Sequence, residues 1–198
     1  MTTIAYPNGQ VLTSTALTIA AINAALQPLT CSVLGMPAPD YSQVRIDWAT
    51  AGQPFEDVNA DVCYLGCLLT DDPYTLIRDQ YLSQTGGVLT QSWTYTRAWR
   101  VSWTLYGPNS FDRARAIHSA LFMDAFTDSL SESSLFPLPN MPLPRRVPEL
   151  LNAQWWERAD FYCNMYEAVT ETISPGIATS VEIKVDTNEG QVADITVG

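Results

Sequence analysis

The sequence predicts a single α+β domain of 198 residues, with a mainly antiparallel β-sheet and two main helices packed on one face. Large apolar side chains fall on alternate residues over about 88–106 and again over about 154–171, which is the period of a strand. Between these segments, after Gly107 and Pro108, apolar residues recur every three or four positions, as in a helix. Strands that arrive in adjacent pairs favour antiparallel pairing with the helices on one face.

The N-terminal part predicts one helix and two strands. Ser14 is expected to cap a helix that runs to about Gln27, where Pro28 ends it. A short strand is expected over 43–49, where apolar and charged residues alternate, and Trp48 belongs to its apolar set. The segment 61–70 is apolar on both faces, which is typical of a central strand.

The next segment, 70–87, is polar and rich in turn residues, and we expect it to be a long loop. The strand over 88–106 that follows has one apolar face, formed by Tyr95, Trp99, Val101, Trp103 and Leu105. Its other face carries Arg100 among serines and threonines, so that face is expected to be wet or to meet a partner.

Ser110 is expected to cap the second helix, whose apolar stripe extends as far as Ala125. The segment 129–147 is dense in proline and is expected to be an extended loop. After the strand over 154–171, a turn at 174–176 leads to a last strand over 178–187, and the tail 187–198 is expected to be loosely held.

The charge of the chain argues against nucleic-acid binding. The formal net charge is -11, and Lys184 is the only lysine among ten basic residues. Proteins grip nucleic acid mostly by neutralising phosphates with Lys and Arg, so specific binding is not expected. The N-terminus lacks a basic region followed by an apolar core, and no run approaches the roughly 18 apolar residues that cross a membrane. We therefore expect a soluble protein without a targeting segment, whose scattered cysteines are reduced thiols.

Few residues offer catalytic chemistry. His118 is the only histidine, and its helical neighbours include no carboxylate that could orient it. Cys63 and Cys67 share a face of one strand but lie about 13 Å apart, too far to share a zinc ion. No nucleotide-binding or nucleophile-elbow motif is present, so no cofactor or metal is expected.

Paired acids leave one enzymatic alternative open. Adjacent carboxylates occur in expected loops at Glu56 and Asp57 and at Asp71 and Asp72. A small hydrolase that uses Asp71, Asp72 or Glu56 would fit such pairs. Acidic residues in loops are more often only solvated, and no third group supports an active site here.

Aromatic residues on the faces expected to be wet favour a protein interface. They comprise Trp156, Tyr162 and Tyr166 on the last long strand, with Trp93 and Tyr106 on the first. Exposed Tyr and Trp are enriched where proteins meet. The alternative is that the chain's own loops cover both sides of the sheet.

Two stretches carry a resemblance to a known family. The run TRAWRVSWTLYGPNSFDRARAIHSALF, followed after a proline-rich spacer by RRVPELLNAQWWERADFYCNMYEA, resembles the tail terminator or neck terminator proteins of tailed bacteriophages. The resemblance covers about 91–185. It rests on a strand that ends in Tyr106 and Gly107, the helix after it, and a strand with Trp156, Glu157 and Arg158.

The resemblance implies a structural virion protein without catalytic residues, with an α+β, tail-terminator-like fold. Such a subunit assembles into a ring, commonly a hexamer, at the head-proximal end of the tail tube. The ring ends tube polymerisation and joins the tail to the head connector or head completion protein, with the genome passing through its lumen. We expect this ring in the neck of the virion after assembly in the host cytoplasm. The expected interface residues are Arg100, Trp156, Arg158, Tyr162 and Tyr166.

Other readings remain open at this point. The chain could be another ring of the head-tail connector, such as a head completion or stopper protein. It could instead be a monomeric ligand-binding domain whose exposed aromatic residues line a pocket.

Overall fold

The computed structural model describes residues 2–6, 10–36, 41–47, 57–151, 153–174, 181–187 and 190–197. For Leu151 and the last two ranges the description covers the backbone alone. The strands are β1 (Thr2–Ala5), β2 (Val11–Ser14), β3 (Val44–Ile46), β4 (Val62–Thr70), β5 (Arg78–Thr85), β6 (Val88–Tyr106), β7 (Leu135–Pro137), β8 (Arg145–Arg146), β9 (Glu149–Leu151), β10 (Gln154–Trp156), β11 (Arg158–Ile173), β12 (Val181–Thr187) and β13 (Gly190–Val197). The helices are α1 (Ile19–Val33), α2 (Ser110–Ala120) and α3 (Asp124–Ser131), and a 3-10 turn covers Pro73–Leu76.

The protein has an α+β fold with a mostly antiparallel sheet. Among the described residues, the main sheet has nine strands in the order β1-β2-β11-β6-β4-β3, with β5 paired to β6 and with β7 and β8 paired to β11. Among the described strand pairs only β3 and β4 run parallel. The long strands β6 and β11 pair over their shared length, from Arg158 opposite Tyr106 to Ile173 opposite Gln91. They form the centre on which the other elements are placed.

The core lies between one face of this sheet and the helices. Trp99 and Trp103 of β6 are both almost fully buried, and the Trp103 ring stacks on Phe161 at 4.8 Å between centroids. Ile22 and Leu26 of α1 and Ile117 of α2 belong to the same buried cluster. The expected apolar face of 88–106 therefore packs against the helices over its second half, because odd-numbered residues of a strand share one face.

The first helix differs from the prediction at both ends. Ser14 lies in β2, and Thr18 is the actual cap, with its side chain accepting from the Ala21 N–H at 3.1 Å. The helix continues through Pro28 to Val33. Proline inside a helix removes one hydrogen bond and costs about 3 kcal/mol, but the turn beyond it buries Thr30 and Cys31. Burial of that turn offsets the local cost, which the sequence pattern does not show.

The expected loop over 70–87 is wrong. After the 3-10 turn the chain forms β5, which pairs with β6 along its whole length, from Arg78 opposite Tyr95 to Thr85 opposite Val88. Gly86 and Gly87 connect the two strands, and both have positive φ, +59° and +79°. Two residues with positive φ make the turn that matches the twist of a tight hairpin. The strand was missed because its exposed residues show no apolar alternation.

The second helix is split. Ser110 is its first residue and is buried, and Asn109 occupies the cap position but its side chain makes no capping hydrogen bond. The helix ends at Ala120, and α3 starts after a short break at 121–123, so Ala125 belongs to a different helix. Within 129–147 the structure has the end of α3 and the short strands β7 and β8 in place of a continuous loop.

The C-terminal half of the sequence shows two further differences. The strand expected over 154–171 is divided at Glu157, because β10 pairs with β9 whereas β11 pairs with β6. The tail expected to be loose contains β13, which pairs with β12 in a separate antiparallel hairpin. Trp48, Glu56 and the turn at 175–176 lie outside the described residues.

Candidate interface

The face of the sheet opposite the helices carries the candidate site. Even-numbered residues of β6 and β11 lie on this face, paired with each other and with β4 across the ladder. We call it the open face and define it by Tyr64, Leu68, Arg100, Ser102, Thr104, Tyr162, Asn164 and Tyr166. These side chains are half-buried or exposed, whereas their odd-numbered neighbours Trp99, Val101, Cys163 and Met165 are buried. The strand period separates the two sets, as the sequence predicts.

Arg100 and Tyr162 form a contact pair in the middle of the open face. The Arg100 guanidinium lies over the Tyr162 ring at 4.5 Å from its centroid. Its Nε donates a long hydrogen bond to Asn164 Oδ1 at 3.4 Å. Arg100 is exposed and Tyr162 is 37% exposed, so this pair presents a flat cationic and aromatic surface to solvent. Arg and Tyr are enriched in protein interfaces, where they contribute most of the binding free energy.

Arg158 is held by contacts within the subunit. Its guanidinium makes a bidentate pair with Asp160, at 2.8 and 2.7 Å, and an ion pair with Glu149 at 3.0 Å. The hydrogen bonds with Asp160 raise the pKa of Arg158 above its usual value. Glu149 also accepts from the Tyr106 hydroxyl at 2.7 Å, and burial, together with this bond, raises the pKa of Tyr106 to about 12. Arg158 therefore joins the β9–β10 hairpin to the sheet, a role that the sequence does not reveal.

Trp156 does not lie on a wet face, so that part of the prediction is wrong. It is 4% exposed, and its ring meets the edge of Tyr106 at 6.2 Å between centroids. The neighbouring Trp155 is 66% exposed instead. The strand breaks at Glu157, and Trp156 pairs with Glu149 of β9 and packs against the Tyr106 ring, so its side chain is covered.

Tyr166 lies nearer the other end of the open face. Its hydroxyl donates to Asp72 Oδ2 at 3.2 Å, and its ring lies 6.0 Å from that of Tyr74. Burial and the Asp72 hydrogen bond raise the pKa of Tyr166. Four residues of strand separate Tyr162 from Tyr166, about 13 Å. The expected interface residues thus occupy three positions along the sheet rather than one cluster.

The acids proposed for a hydrolase have structural contacts. Asp72 caps the 3-10 turn by accepting from the Tyr74 N–H at 2.9 Å, besides its bond to Tyr166. Within the described ranges, no group of three or more His, Cys, Asp or Glu residues could hold a metal ion. A groove of about 390 Å³ adjoins the open face, between Arg100, Tyr162, Leu143 and Arg145. It could hold a small ligand or the side chains of a protein partner.

One surface escaped the sequence prediction. Large apolar side chains are exposed around the end of β4, the 3-10 turn and β5; they are Leu68, Leu69, Tyr74, Leu76, Ile77, Tyr81 and Leu82. The Thr-Gly-Gly sequence at 85–87 was the available signal, since two glycines between two strands are typical of a tight hairpin. Neighbouring residues of a strand point to opposite faces, so these side chains lie on both sides of the sheet, and their exposed apolar area favours a contact with another protein.

A comparison with protein families settles the membership of the chain. Residues 20–191 match the model of a family described as phage neck terminator protein. The chain belongs to the phage neck terminator protein family. This confirms the resemblance drawn from the sequence. No curated protein sequence matches the chain at a significant level.

Membership of the neck terminator family defines the coarse function. The family is structural, and it implies a place in the neck of a phage tail, in contact with other tail or head proteins. None of the described helices is long and apolar enough to cross a membrane. The family match includes the open face and β5 but begins inside α1, so the β1–β2 hairpin lies outside it.

Proposed function

We propose that this neck terminator forms a ring at the head-proximal end of the tail tube, ends polymerisation of the tube and joins the tail to the head connector. The observation that carries the proposal is the family match over residues 20–191. The open face supports it, because Arg100 and Tyr162 are presented to solvent as a contact surface of interface composition. As in the resemblance on which it draws, the ring is a hexamer.

The charge of the subunit suits a ring through which DNA passes. With a net charge of -11, the chain as a whole repels phosphates. A duplex would then move through the lumen without being retained, since retention requires neutralised phosphates. The contacts that matter are therefore those between proteins.

The test uses purified tail tube protein that is polymerising in the presence of the neck terminator. We expect tubes of limited length, each carrying a ring at one end in electron micrographs, and rings of about six chains by light scattering. Tubes that keep growing, with no density at their ends, would contradict the proposal. Binding to isolated connectors without any effect on tubes would favour a head completion protein.

The contribution of the open face is tested by Arg100→Ala. Loss of the contact over Tyr162 is expected to raise the concentration for half-maximal assembly roughly two- to fivefold, the equivalent of about 0.5–1 kcal/mol. Arg115→Ala is the matched control, because Arg115 is exposed on α2 and away from the sheet. Equal assembly by both variants would remove the open face from the interface.

Arg158→Ala tests an expected interface residue whose guanidinium is bound to Glu149 and Asp160 of the same subunit. We expect weaker ring assembly from a subunit that is still folded, because Glu149 and the β9–β10 hairpin lose their partner while the core is untouched. Circular dichroism checks the fold and light scattering the assembly. Unchanged ring formation would show that Arg158 acts only inside the subunit.

A further inference from the structure

Five strands form one continuous end of the main sheet. At the level of residues 91–93 of β6, the order across the sheet is β1, β2, β11, β6 and β5. One row of paired residues crosses the whole end: Thr3, Thr13, Thr172, Ser92 and Tyr81. The adjacent row consists of Ile4, Leu12, Ile173, Gln91 and Leu82. β1 and β5 are thus the two opposite edges of one sheet segment.

Both edges are free and unprotected within the described part of the chain. No described strand pairs with the outer side of β1 or of β5. All four residues of β1 and all eight of β5 are exposed. Neither strand contains proline or lysine, and 80–85 carries no charge. Natural proteins usually guard such edges with charges, proline or a covering loop, because a free edge pairs readily with another chain.

The two edges match each other in character. Ile4 and Leu82 end the same row on the helix side of the sheet, where they are 48% and 63% exposed. Thr3 and Tyr81 end the neighbouring row on the other side. Edges joined without stagger would therefore place Ile4 beside Leu82 on one face and Thr3 beside Tyr81 on the other.

We propose that the outer edge of β5 in one subunit pairs with the outer edge of β1 in the next, with the two strands parallel. The inference rests on the ring proposed above and names its contact. A contact between two different surfaces of one chain is heterologous, and it gives a ring when the rotation between neighbours closes. The parallel direction follows from the number of strands between the two edges. Each strand in the order β1, β2, β11, β6, β5 is antiparallel to its neighbour, so β1 and β5 run in the same direction. If neighbouring subunits are related by rotation about a ring axis parallel to the strands, β1 of one subunit and β5 of the next also run in the same direction.

Cross-linking tests this contact. One chain carries Thr3→Cys, and a second carries a cysteine at one of the positions of β5 on the same face, namely Asp79, Tyr81, Ser83 or Thr85. Equal amounts are mixed and treated with a short bismaleimide, both alone and with isolated tail tubes. We test four positions because a closed sheet staggers its strands by a fixed shear. The unmodified chain is the control and measures any background from the half-buried Cys67, since Cys31, Cys63 and Cys163 are buried.

The direction of pairing is tested by moving the first cysteine from Thr3 to Ala5, two residues along the same face. Parallel pairing predicts that the best partner moves two residues toward the C-terminal end of β5. Movement toward its N-terminal end would show antiparallel pairing. Adducts of either variant with itself would show an isologous contact. Each of these last two results would overturn the inference.

A substitution gives an independent readout. Leu82→Asp places a charge on the apolar side of the joined edges and is expected to raise the concentration for half-maximal ring assembly about tenfold or more. Met123→Asp is the control, because Met123 is an apolar residue, 60% exposed, that directly precedes α3 and lies outside the sheet. Equal effects of the two substitutions would argue against a contact at β5.

Failure of this inference can be told from failure of the proposed function. Rings that form without any mixed adduct would refute the β5–β1 contact and leave the ring intact. Absence of both rings and adducts, alone and on tail tubes, would refute both. Rings with the mixed adducts and the parallel shift are the expected result.

Discussion

Glu167 is the buried carboxylate on which the N-terminal segment depends, and Glu167→Gln is the sharpest test of the fold. Its side chain is fully buried on β11. Oε1 accepts from the Leu17 N–H at 2.6 Å, and Oε2 accepts from the Trp99 indole N–H at 2.6 Å. Arg97 completes the group with an ion pair to Oε2 at 3.2 Å and a hydrogen bond to the Leu17 carbonyl. The carboxylate thus joins the two long strands to the chain that connects β2 with α1.

The glutamine side chain has nearly the same shape as glutamate, but one of the two carboxylate oxygens that accept hydrogen bonds is replaced by an NH2 group. With its oxygen toward Trp99 and Arg97, its NH2 group faces the Leu17 N–H, so a buried donor loses its partner. An unsatisfied buried group costs about 1–3 kcal/mol, and the remaining bonds lose the strength that a charged acceptor adds. We expect the free energy of unfolding to fall by about 3 kcal/mol.

Urea unfolding followed by tryptophan fluorescence measures this change, with Glu171→Gln as the matched control. Glu171 lies four residues along the same strand and face but is only half-buried, with the Tyr95 hydroxyl as its partner. Its substitution is expected to cost no more than about 1 kcal/mol. Hydrogen exchange of the Leu17 amide should quicken in Glu167→Gln alone. A loss below about 0.5 kcal/mol for Glu167→Gln, or equal losses for the two variants, would refute the reasoning.

Three further predictions concern the turn after β6, the thiols and the β9–β10 hairpin. Gly107 has φ +108°, and a Cβ there would lie 2.6 Å from the Ala60 carbonyl oxygen, so Gly107→Ala should cost at least about 2 kcal/mol of unfolding free energy in urea melts. At Gly86, where φ is +59° and a Cβ would meet no described atom within 4 Å, substitution by Ala should lower the free energy of unfolding by only about 1 kcal/mol. Equal losses for Gly86→Ala and Gly107→Ala would contradict the predicted clash at Gly107. Burial raises the pKa of Cys67 to about 11, so little of this thiol is ionised at pH 8. We expect the four thiols of the native protein to react slowly with a disulfide reagent at that pH and to react fully once urea unfolds the chain. Rapid labelling of the native protein would contradict the burial of these thiols. Hydrogen bonds from Tyr106 and Arg158 lower the pKa of Glu149, so its stabilisation is present above the unfolded pKa of about 4.3 and is lost as pH falls through the folded value. The melting temperatures of the wild type and of Glu149→Gln should therefore converge as the pH falls below the folded-state pKa of Glu149. A difference in melting temperature that stays constant down to pH 3 would exclude this pH dependence.

The candidate site was predicted in part. Arg100 and Tyr162 lie on the open face as expected, because a period of two assigns each residue of a long strand to one side. Trp156 is buried because it belongs to β10, which pairs with β9, and its ring packs against Tyr106. The exposed apolar surface around β5 was not predicted, since it depends on which strand lies beside β6.

The sequence by itself determined the elements whose apolar residues repeat with one period over a long run. The strands β6 and β11 were predicted to within a few residues, because burial of one face demands alternation, and β4 was predicted because a central strand is apolar on both faces. Only the tertiary structure decided the rest: that α1 passes through Pro28, that β5 is a strand, and that Glu149 secures Arg158. The turn of α1 beyond Pro28 is stabilised by a distant partner, because the Trp103 indole donates to Thr30, and local spacing does not show this contact. For β5 the Thr-Gly-Gly turn was a local signal, but its exposed side chains lack the alternation that marks a strand.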